Sequence, residues 1–212
     1  MKTPREIRYD KLGPKVVTAL RSRGFEAWYF ESPEAGTEQF FSLIPKTDVV
    51  SWGGTMTAQE LRLMDMLYEK GYQVIDRDKA SSPEERTERM RQALLCDTFV
   101  AGTNALSEDG QLVNIDGIGN RTAAMIFGPK QVIIVAGMNK VVRTLDDAMV
   151  RARTVAAPIN MQRFSGKTPC GETGACGNCL SADSICTFIV TTRRCKPAGR
   201  IKIILIGKDL GF

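Results

Sequence analysis

The stretch from residue 97 to residue 140 constrains the fold of this chain most, because the apolar runs in it are repeatedly followed by glycine and polar residues. Thr98–Ala101 is followed by Gly-Thr-Asn at 102–104, and the most apolar run of the chain, at 132–136, is followed by Gly137. Short apolar runs bounded by turn residues are typical of buried strands. Open parallel sheets bind ligands where their strands end. The stretch therefore predicts a buried sheet with a ligand site at its carboxyl edge.

Strand and helix patterns alternate along the rest of the chain. Apolar or aromatic runs at 25–30, 48–52, 72–75 and 200–206 predict strands, and capped or amphipathic segments between them predict helices. This alternation predicts an α/β fold with a mostly parallel sheet and helices on both faces. A chain of 212 residues suits one domain spanning 1–212.

Three local predictions concern breaks in this pattern. The N-terminal helical segment at 3–24 contains Gly13-Pro14, which is expected to break or kink it. A helix at 56–70 is expected to start with a capping box formed by Thr57 and Glu60. A helix at 145–156 is expected to end at Pro158.

Composition excludes several classes of function. With 29 Lys and Arg against 24 Asp and Glu, the net charge of +5 is mild, and no basic face interleaved with aromatic residues indicates a nucleic-acid binder. There is no apolar signal region and no run of membrane-spanning length, so a cytoplasmic location without a membrane span is expected. The chain has no histidine, so neither a Ser-His-Asp nor a Cys-His arrangement can form.

A glycine-rich segment at about 165–195 interrupts the pattern before the last strand and holds four spaced cysteines. Cys170, Cys176, Cys179 and Cys186 follow the spacing Cys-x5-Cys-x2-Cys-x6-Cys. Four thiolates around a central Cys-x-x-Cys fit either tetrahedral zinc or an iron–sulfur cluster. The alternative is that these are reduced structural cysteines without a metal. Cys195 is at most a reserve ligand.

Turns after the predicted strands form the candidate ligand site. Backbone N–H groups at the helix start after Gly53-Gly54-Thr55 would bind an anion, although a plain tight turn has the same sequence pattern. In a later loop, Asp116 could act as a base, Asn120 could donate to an oxyanion, and Arg121 could hold a carboxylate or phosphate. The alternative is that Asp116 and Asn120 only cap the loop and that Arg121 pairs with an acid on the surface. The candidate ligand-binding residues are Gly53, Gly54, Thr55, Gly102, Thr103, Asn104, Asp116, Gly117, Gly119, Asn120, Arg121 and Lys140.

Four separated motifs, in this order, resemble the LUD ("lactate utilisation") domain family: SWGGTMT, GTNALSEDGQLVNIDGIGNR, GPKQVIIVAGMNK and GRIKIILIGKDLGF. The resemblance implies a fold similar to ribose-phosphate isomerase, glucosamine-phosphate deaminase and coenzyme A transferase. It also implies a place in lactate oxidation beside iron–sulfur partner proteins.

These observations leave three hypotheses about function open. The leading one is a LUD-like protein of organic-acid (lactate) or redox metabolism that binds a small anion at the strand ends and a metal or iron–sulfur centre through its cysteines. The second is a non-catalytic, partner-binding subunit of an iron–sulfur redox complex. The third is a sugar-phosphate, coenzyme A or folate-type enzyme of the same fold, against which the lack of histidine argues. A homo-oligomer is compatible with each.

Overall fold

The computed structural model describes residues 1–212 and contains two sheets with helices packed around them. The elements, in chain order, are α1 (Pro4–Ser22), β1 (Glu26–Phe30), α2 (Pro33–Ser42), β2 (Val49–Trp52), α3 (Met56–Glu60), α4 (Leu63–Glu69), β3 (Gln73–Ile75), α5 (Pro83–Gln92), β4 (Thr98–Ala101), β5 (Ala105–Ser107), β6 (Leu112–Asp116), α6 (Asn120–Ile126), β7 (Gln131–Gly137), β8 (Val141–Val142), α7 (Leu145–Arg151), α8 (Ala157–Met161), α9 (Pro169–Thr173), β9 (Phe188–Thr192) and β10 (Ile201–Ile206). None of the helices combines the length and the apolar character that crossing a bilayer requires.

The main sheet has six parallel strands in the order β1-β10-β7-β4-β2-β3. Successive residues of its central strands point to opposite faces. Ile134 and Ile203 pack with α1 on one side, and Ile133 and Ile204 pack with α2 and α4 on the other. The predicted α/β fold, with a parallel sheet covered by helices on both faces, is thus confirmed.

A second sheet of four strands, in the order β8-β5-β6-β9, was not expected from the sequence pattern. Strands β5 and β6 form the hairpin that Asp109-Gly110 predicts, with Gly110 at a φ of 88°. The cysteine-rich segment supplies β9, which pairs antiparallel with β6. The far side of this sheet packs against α7 and α8 through small residues such as Ala148 and Ala157.

Helix α1 runs unbroken through Pro14, so the predicted break at Gly13-Pro14 is wrong. Thr3 caps the helix together with Glu6, and the buried side chains of Val16 and Leu20 hold its second half on the sheet. This burial offsets the single backbone hydrogen bond that a proline inside a helix removes. Gly13 is needed for a different reason: a Cβ there would lie 2.2 Å from the Tyr29 ring.

The single helix predicted at 56–70 is two helices, since Arg62 adopts a left-handed backbone conformation with φ 54° between α3 and α4. The cap of α3 is Thr55 rather than Thr57, so the predicted capping box is also wrong. Glu60 instead accepts a hydrogen bond from the Gly211 N–H at 2.8 Å.

Pro158 does not end the helix predicted at 145–156. A π-helical turn at Ala152–Ala156 follows α7, and the chain continues directly into α8, where Pro158 occupies the first turn. Pro158 therefore removes one backbone hydrogen bond at the junction of two helical segments without ending the helical run.

Candidate functional site

The loops that follow β2, β4 and β6, together with Lys140 after β7, meet at one cavity of about 350 Å³. All of the predicted ligand-binding residues line it except Gly119. Gly119 lies just outside, at the start of α6, with a φ of 79° that favours glycine. The structure therefore brings these residues together at the strand ends, as the sequence predicts. Their contacts show which of them build the wall of the cavity and which are available to a ligand.

The glycines at the ends of β2 and β4 make room for the protein's own side chains. A Cβ on Gly53 would lie 2.8 Å from Cγ of Arg121, and one on Gly102 would lie 2.9 Å from Oγ1 of Thr55. The Thr55 hydroxyl accepts the N–H of Ala58 as the cap of α3, which is only five residues long. Gly53 and Gly102 therefore allow the strand ends to pack closely against side chains of the protein. Of these glycines, only Gly54 has space for a side chain, since a Cβ there would meet only Nη2 of Arg77, at 3.5 Å.

Thr103 and Asn104 face the second sheet. The buried Thr103 hydroxyl lies 2.9 Å from the Ala105 carbonyl oxygen. The Asn104 side-chain oxygen accepts the Ile115 N–H at 2.9 Å. These contacts fix the β4–β5 connection against β6, so the two side chains shape the wall of the cavity.

Arg121 is buried and its guanidinium is surrounded by acceptors from the protein. Its Nε donates to Asp116 Oδ1 at 2.9 Å, and its Nη2 donates to Asn104 Oδ1 and to the Ile115 carbonyl oxygen. The other oxygen of Asp116 accepts the Thr122 N–H at 2.7 Å, next to the start of α6. Only Nη1 is left with a weak contact, 3.5 Å from the Gly102 carbonyl oxygen. The geometry therefore favours the alternative in which Arg121 pairs with an acid, although the pair with Asp116 is mostly buried and does not lie on the surface.

Sequence reasoning missed Arg77, which lies in a short turn after β3 and lines the same cavity. Its Nε is buried without a hydrogen-bond partner, and Nη1 meets only the sulfur of Met90, at 3.6 Å. Burial lowers the pKa of this guanidinium from its ordinary value, and arginine still keeps its charge in proteins. The signal that could have identified it is the polar run Asp76-Arg77-Asp78 at a strand end; that strand end carries no glycine.

Lys140 reaches the cavity from the turn after β7 and is 4% exposed. Its amine donates to Oγ1 of Thr57 at 3.0 Å and forms no ion pair. Burial, followed by the positive charges of Arg151 and Arg121, lowers the pKa of this amine to about 7. A lysine of this kind can be uncharged near neutral pH, which suits it to chemistry as well as to binding.

The four cysteines of the predicted metal site lie in and after α9, and none forms a disulfide. Burial and then the nearby thiols of Cys170, Cys176 and Cys179 raise the pKa of Cys186, so all four share one neighbourhood. No group of three or more cysteine, histidine or acidic side chains is close enough to hold an ion. Metal binding here stays a prediction, and it would require the segment to draw its sulfurs together.

Replacing Arg121 with alanine should lower the free energy of unfolding by about 3–5 kcal/mol, because it leaves the mostly buried carboxylate of Asp116 without its cationic partner. Urea denaturation followed by circular dichroism would measure this. The control is Arg91→Ala, which removes only an exposed pair with Glu88 and should cost less than about 1 kcal/mol. Equal stability of the two variants would show that Arg121 has no structural task.

Replacing Lys140 with methionine should stabilise the protein at pH 7 by about 1–3 kcal/mol, with a gain that shrinks towards pH 10. The reason is that burial lowers the pKa of Lys140 to about 7 in the folded protein, whereas an ordinary lysine has a pKa of about 10.4. Between these two pH values the unfolded chain binds more protons than the folded protein, and this destabilises the folded state. Stability of the native protein therefore rises with pH across this window, and the variant lacks that dependence.

Urea titrations at pH 7 and pH 10 test this expectation, with the exposed Lys15→Met as the matched control. The control should change the free energy of unfolding by less than about 0.5 kcal/mol at either pH. A Lys140→Met variant that is equally destabilised at both values would contradict the lowered pKa.

The chain is similar to several solved structures. A solved DUF162 family protein from Deinococcus radiodurans is similar over 97% of this chain and 99% of its own, with a TM-score of 0.54 and 13% identity, which shows a shared fold. Ribose 5-phosphate isomerase A from Neisseria gonorrhoeae matches 53% of this chain and 54% of its own, with a TM-score of 0.35 and 14% identity. The protein eIF2B delta from Chaetomium thermophilum matches 66% of this chain and 54% of its own, with a TM-score of 0.35 and 15% identity.

No curated protein matched the sequence. A family model described as the LUD domain matches residues 14–206, nearly the whole chain. The chain belongs to the LUD domain family, which supports, at a coarse level, a role of the lactate-utilisation type.

Proposed function

We propose that this protein binds a small organic-acid anion in the cavity at the strand ends, with Arg77 as the main contact to its carboxylate. The observation that carries the proposal is the buried Nε of Arg77, which has no hydrogen-bond partner in the protein. The carboxylate of Asp78 lies 3.9 Å from this nitrogen, beyond hydrogen-bond distance. An unpaired buried donor is costly. A carboxylate would relieve that cost, since a guanidinium and a carboxylate form strong, often two-pronged hydrogen bonds.

The charge of the cavity lining also favours an anion. Its cationic side chains are Arg77, Arg86, Arg121, Lys140 and Arg163, and its acidic ones are Asp78 and Asp116. Both carboxylates already have arginine partners: Asp116 pairs with Arg121, and Asp78 lies 2.6 Å from Nη1 of Arg86. The four arginines outnumber the two carboxylates, so the lining carries a net positive charge whether or not Lys140 is protonated.

The size of the cavity supports a small acid rather than a large cofactor. Its volume of about 350 Å³ is near the lower end of the range of about 300–1,000 Å³ that ligand pockets cover. A hydroxy acid or an oxo acid fits such a space, whereas a coenzyme A ester would extend far outside it. The half-buried side chain of Asn120 adds an amide at the same wall, suited to a hydroxyl or carbonyl oxygen.

The cysteine-rich segment supports a second part of the proposal, a metal or iron–sulfur centre or a contact to an iron–sulfur partner subunit. The support is the spacing of the four thiols together with their shared neighbourhood. A cluster at this segment would give the organic-acid site a nearby route for electrons, as a role beside redox partners requires.

A thermal-shift screen of hydroxy acids, oxo acids, sugar phosphates, nucleotides and coenzyme A esters tests the anion site. A hit at 100 times its dissociation constant should stabilise the fold by about 2.7 kcal/mol, a rise in Tm of about 5–10 °C for a domain of this size. Small organic acids should give the largest shifts, and Arg77→Ala should remove the response because it removes the carboxylate contact.

The matched control is Arg200→Ala. Arg200 is a partly buried arginine whose guanidinium donates to the backbone carbonyl oxygens of Ala124, Met125 and Pro129. This variant should lose stability and keep the full response to anions. An Arg77→Ala variant that responds like the native protein, or a screen in which no organic acid raises Tm, would overturn the proposed function.

Elemental analysis and visible absorption of anaerobically purified protein test the cysteine segment. About one metal centre per chain is expected, with absorption bands only if it is an iron–sulfur cluster. The double variant Cys176→Ser/Cys179→Ser should lose the metal, whereas Cys96→Ala, which changes a core cysteine, should keep it. Native protein without iron or zinc above background would contradict the prediction.

A further inference from the structure

Lys140 is buried at the cavity, and its amine has no carboxylate partner. Its only hydrogen bond in the protein is to the hydroxyl oxygen of Thr57. An ammonium group has three N–H donors, so a charged Lys140 would leave two of them without a protein acceptor in a buried position. Such a group is strongly disfavoured, and the geometry therefore suits the uncharged amine.

The hydroxyl of Thr57 leaves the nitrogen lone pair of that amine free. Its own proton is directed to the Leu210 carbonyl oxygen at 3.2 Å, so towards Lys140 it acts as an acceptor. The uncharged amine can donate one N–H to Thr57, and no protein donor occupies its lone pair. A buried, uncharged amine with an unoccupied lone pair at a ligand cavity is the arrangement that nucleophilic lysines use.

The charged groups around Lys140 favour the same state. Arg151 lies on α7 and Arg121 on α6, and both positive charges oppose protonation of the amine. The acid that opposes them, Glu60 on α3, has a weaker influence than either arginine, and its carboxylate accepts the Gly211 N–H. The Leu210 N–H donates to Asn139 Oδ1 at 3.2 Å, and this contact holds the segment after β10 next to Lys140.

We infer that Lys140 forms an imine with the carbonyl carbon of a small oxo acid held in the cavity. The lone pair of Nζ adds to the carbonyl carbon, and the carbinolamine then loses its oxygen as water. Both amine protons leave with that oxygen, so a C=N bond replaces the C=O bond without any oxidation or reduction. The inference rests on the proposed organic-acid site and narrows its ligand to acids that carry an aldehyde or ketone. Burial and the two arginines, which lower the pKa of Lys140 to about 7, keep much of the amine reactive at neutral pH.

Reductive trapping tests the inference on the native protein. Incubation with glyoxylate or pyruvate and cyanoborohydride should attach one ligand-derived group per chain, and peptide mapping by mass spectrometry should place it on Lys140. Lys140→Arg, which retains a cation and lacks the nucleophilic amine, should lower the labelling of the protein at least tenfold. The exposed-site control, Lys15→Arg, should label like the native protein.

The pH dependence distinguishes this amine from surface lysines in the same sample. Between pH 8 and pH 6 the uncharged fraction falls about tenfold for a pKa of about 7 and about a hundredfold for an ordinary lysine. Selectivity for Lys140 over exposed lysines should therefore rise about tenfold as the pH is lowered. A selectivity that does not change would contradict the inference.

The outcomes separate this inference from the proposed function. If oxo acids raise Tm through Arg77 and native Lys140 is not labelled, the anion site stands and the imine is overturned. If no organic acid raises Tm, the proposed function itself is wrong. Mapping of the native protein decides the matter even if Lys140→Arg does not fold.

Discussion

The ligand cavity depends on one buried interaction, the guanidinium of Arg121 with Asp116 and the carbonyl oxygen of Ile115. Through it, α6 is fixed to the end of β6, and the side chain also fills the space that Gly53 leaves at the end of β2. A second contact, to Asn104, joins the connection between the two sheets to the same group. These contacts join the two sheets at the cavity through the protein's own side chains.

This arrangement separates the residues that build the cavity from those that face its contents. Arg121, Asp116 and Thr103 use their polar groups within the protein. Arg77 and Lys140 have almost none of their donors satisfied by protein partners. Replacing a residue of the first group should lower the free energy of unfolding. Replacing Arg77 or Lys140 should leave the fold intact. That division is the physical basis for assigning binding and chemistry to the second group.

The sequence predicted the parallel sheet and the place of the cavity because both follow from short-range patterns. Apolar runs at 98–101 and 132–136 identify central strands, and the rule that ligands bind at strand ends leads from them to Gly102 and Lys140. What the sequence could not supply was the pairing of side chains across the chain. Whether the Arg121 fork faces a ligand or Asp116 depends on the path of a loop. Arg77 was missed because its strand end carries no glycine. The second sheet was missed because β8 is only two residues long and because β8 and β9 join the β5–β6 hairpin from distant parts of the chain.

The order of the main sheet has a consequence for how the protein reaches its native state. Strand β10 lies between β1 and β7, so the first strand of the sheet has no neighbour until the last one arrives. Contacts between such distant parts of a chain form slowly, because a long loop must close before they are gained. During synthesis, β1 and one edge of β7 therefore wait as open strand edges, which are prone to pairing with other chains. Folding yield in cells should accordingly be most sensitive to changes in residues 201–206 and to how quickly that segment joins the others.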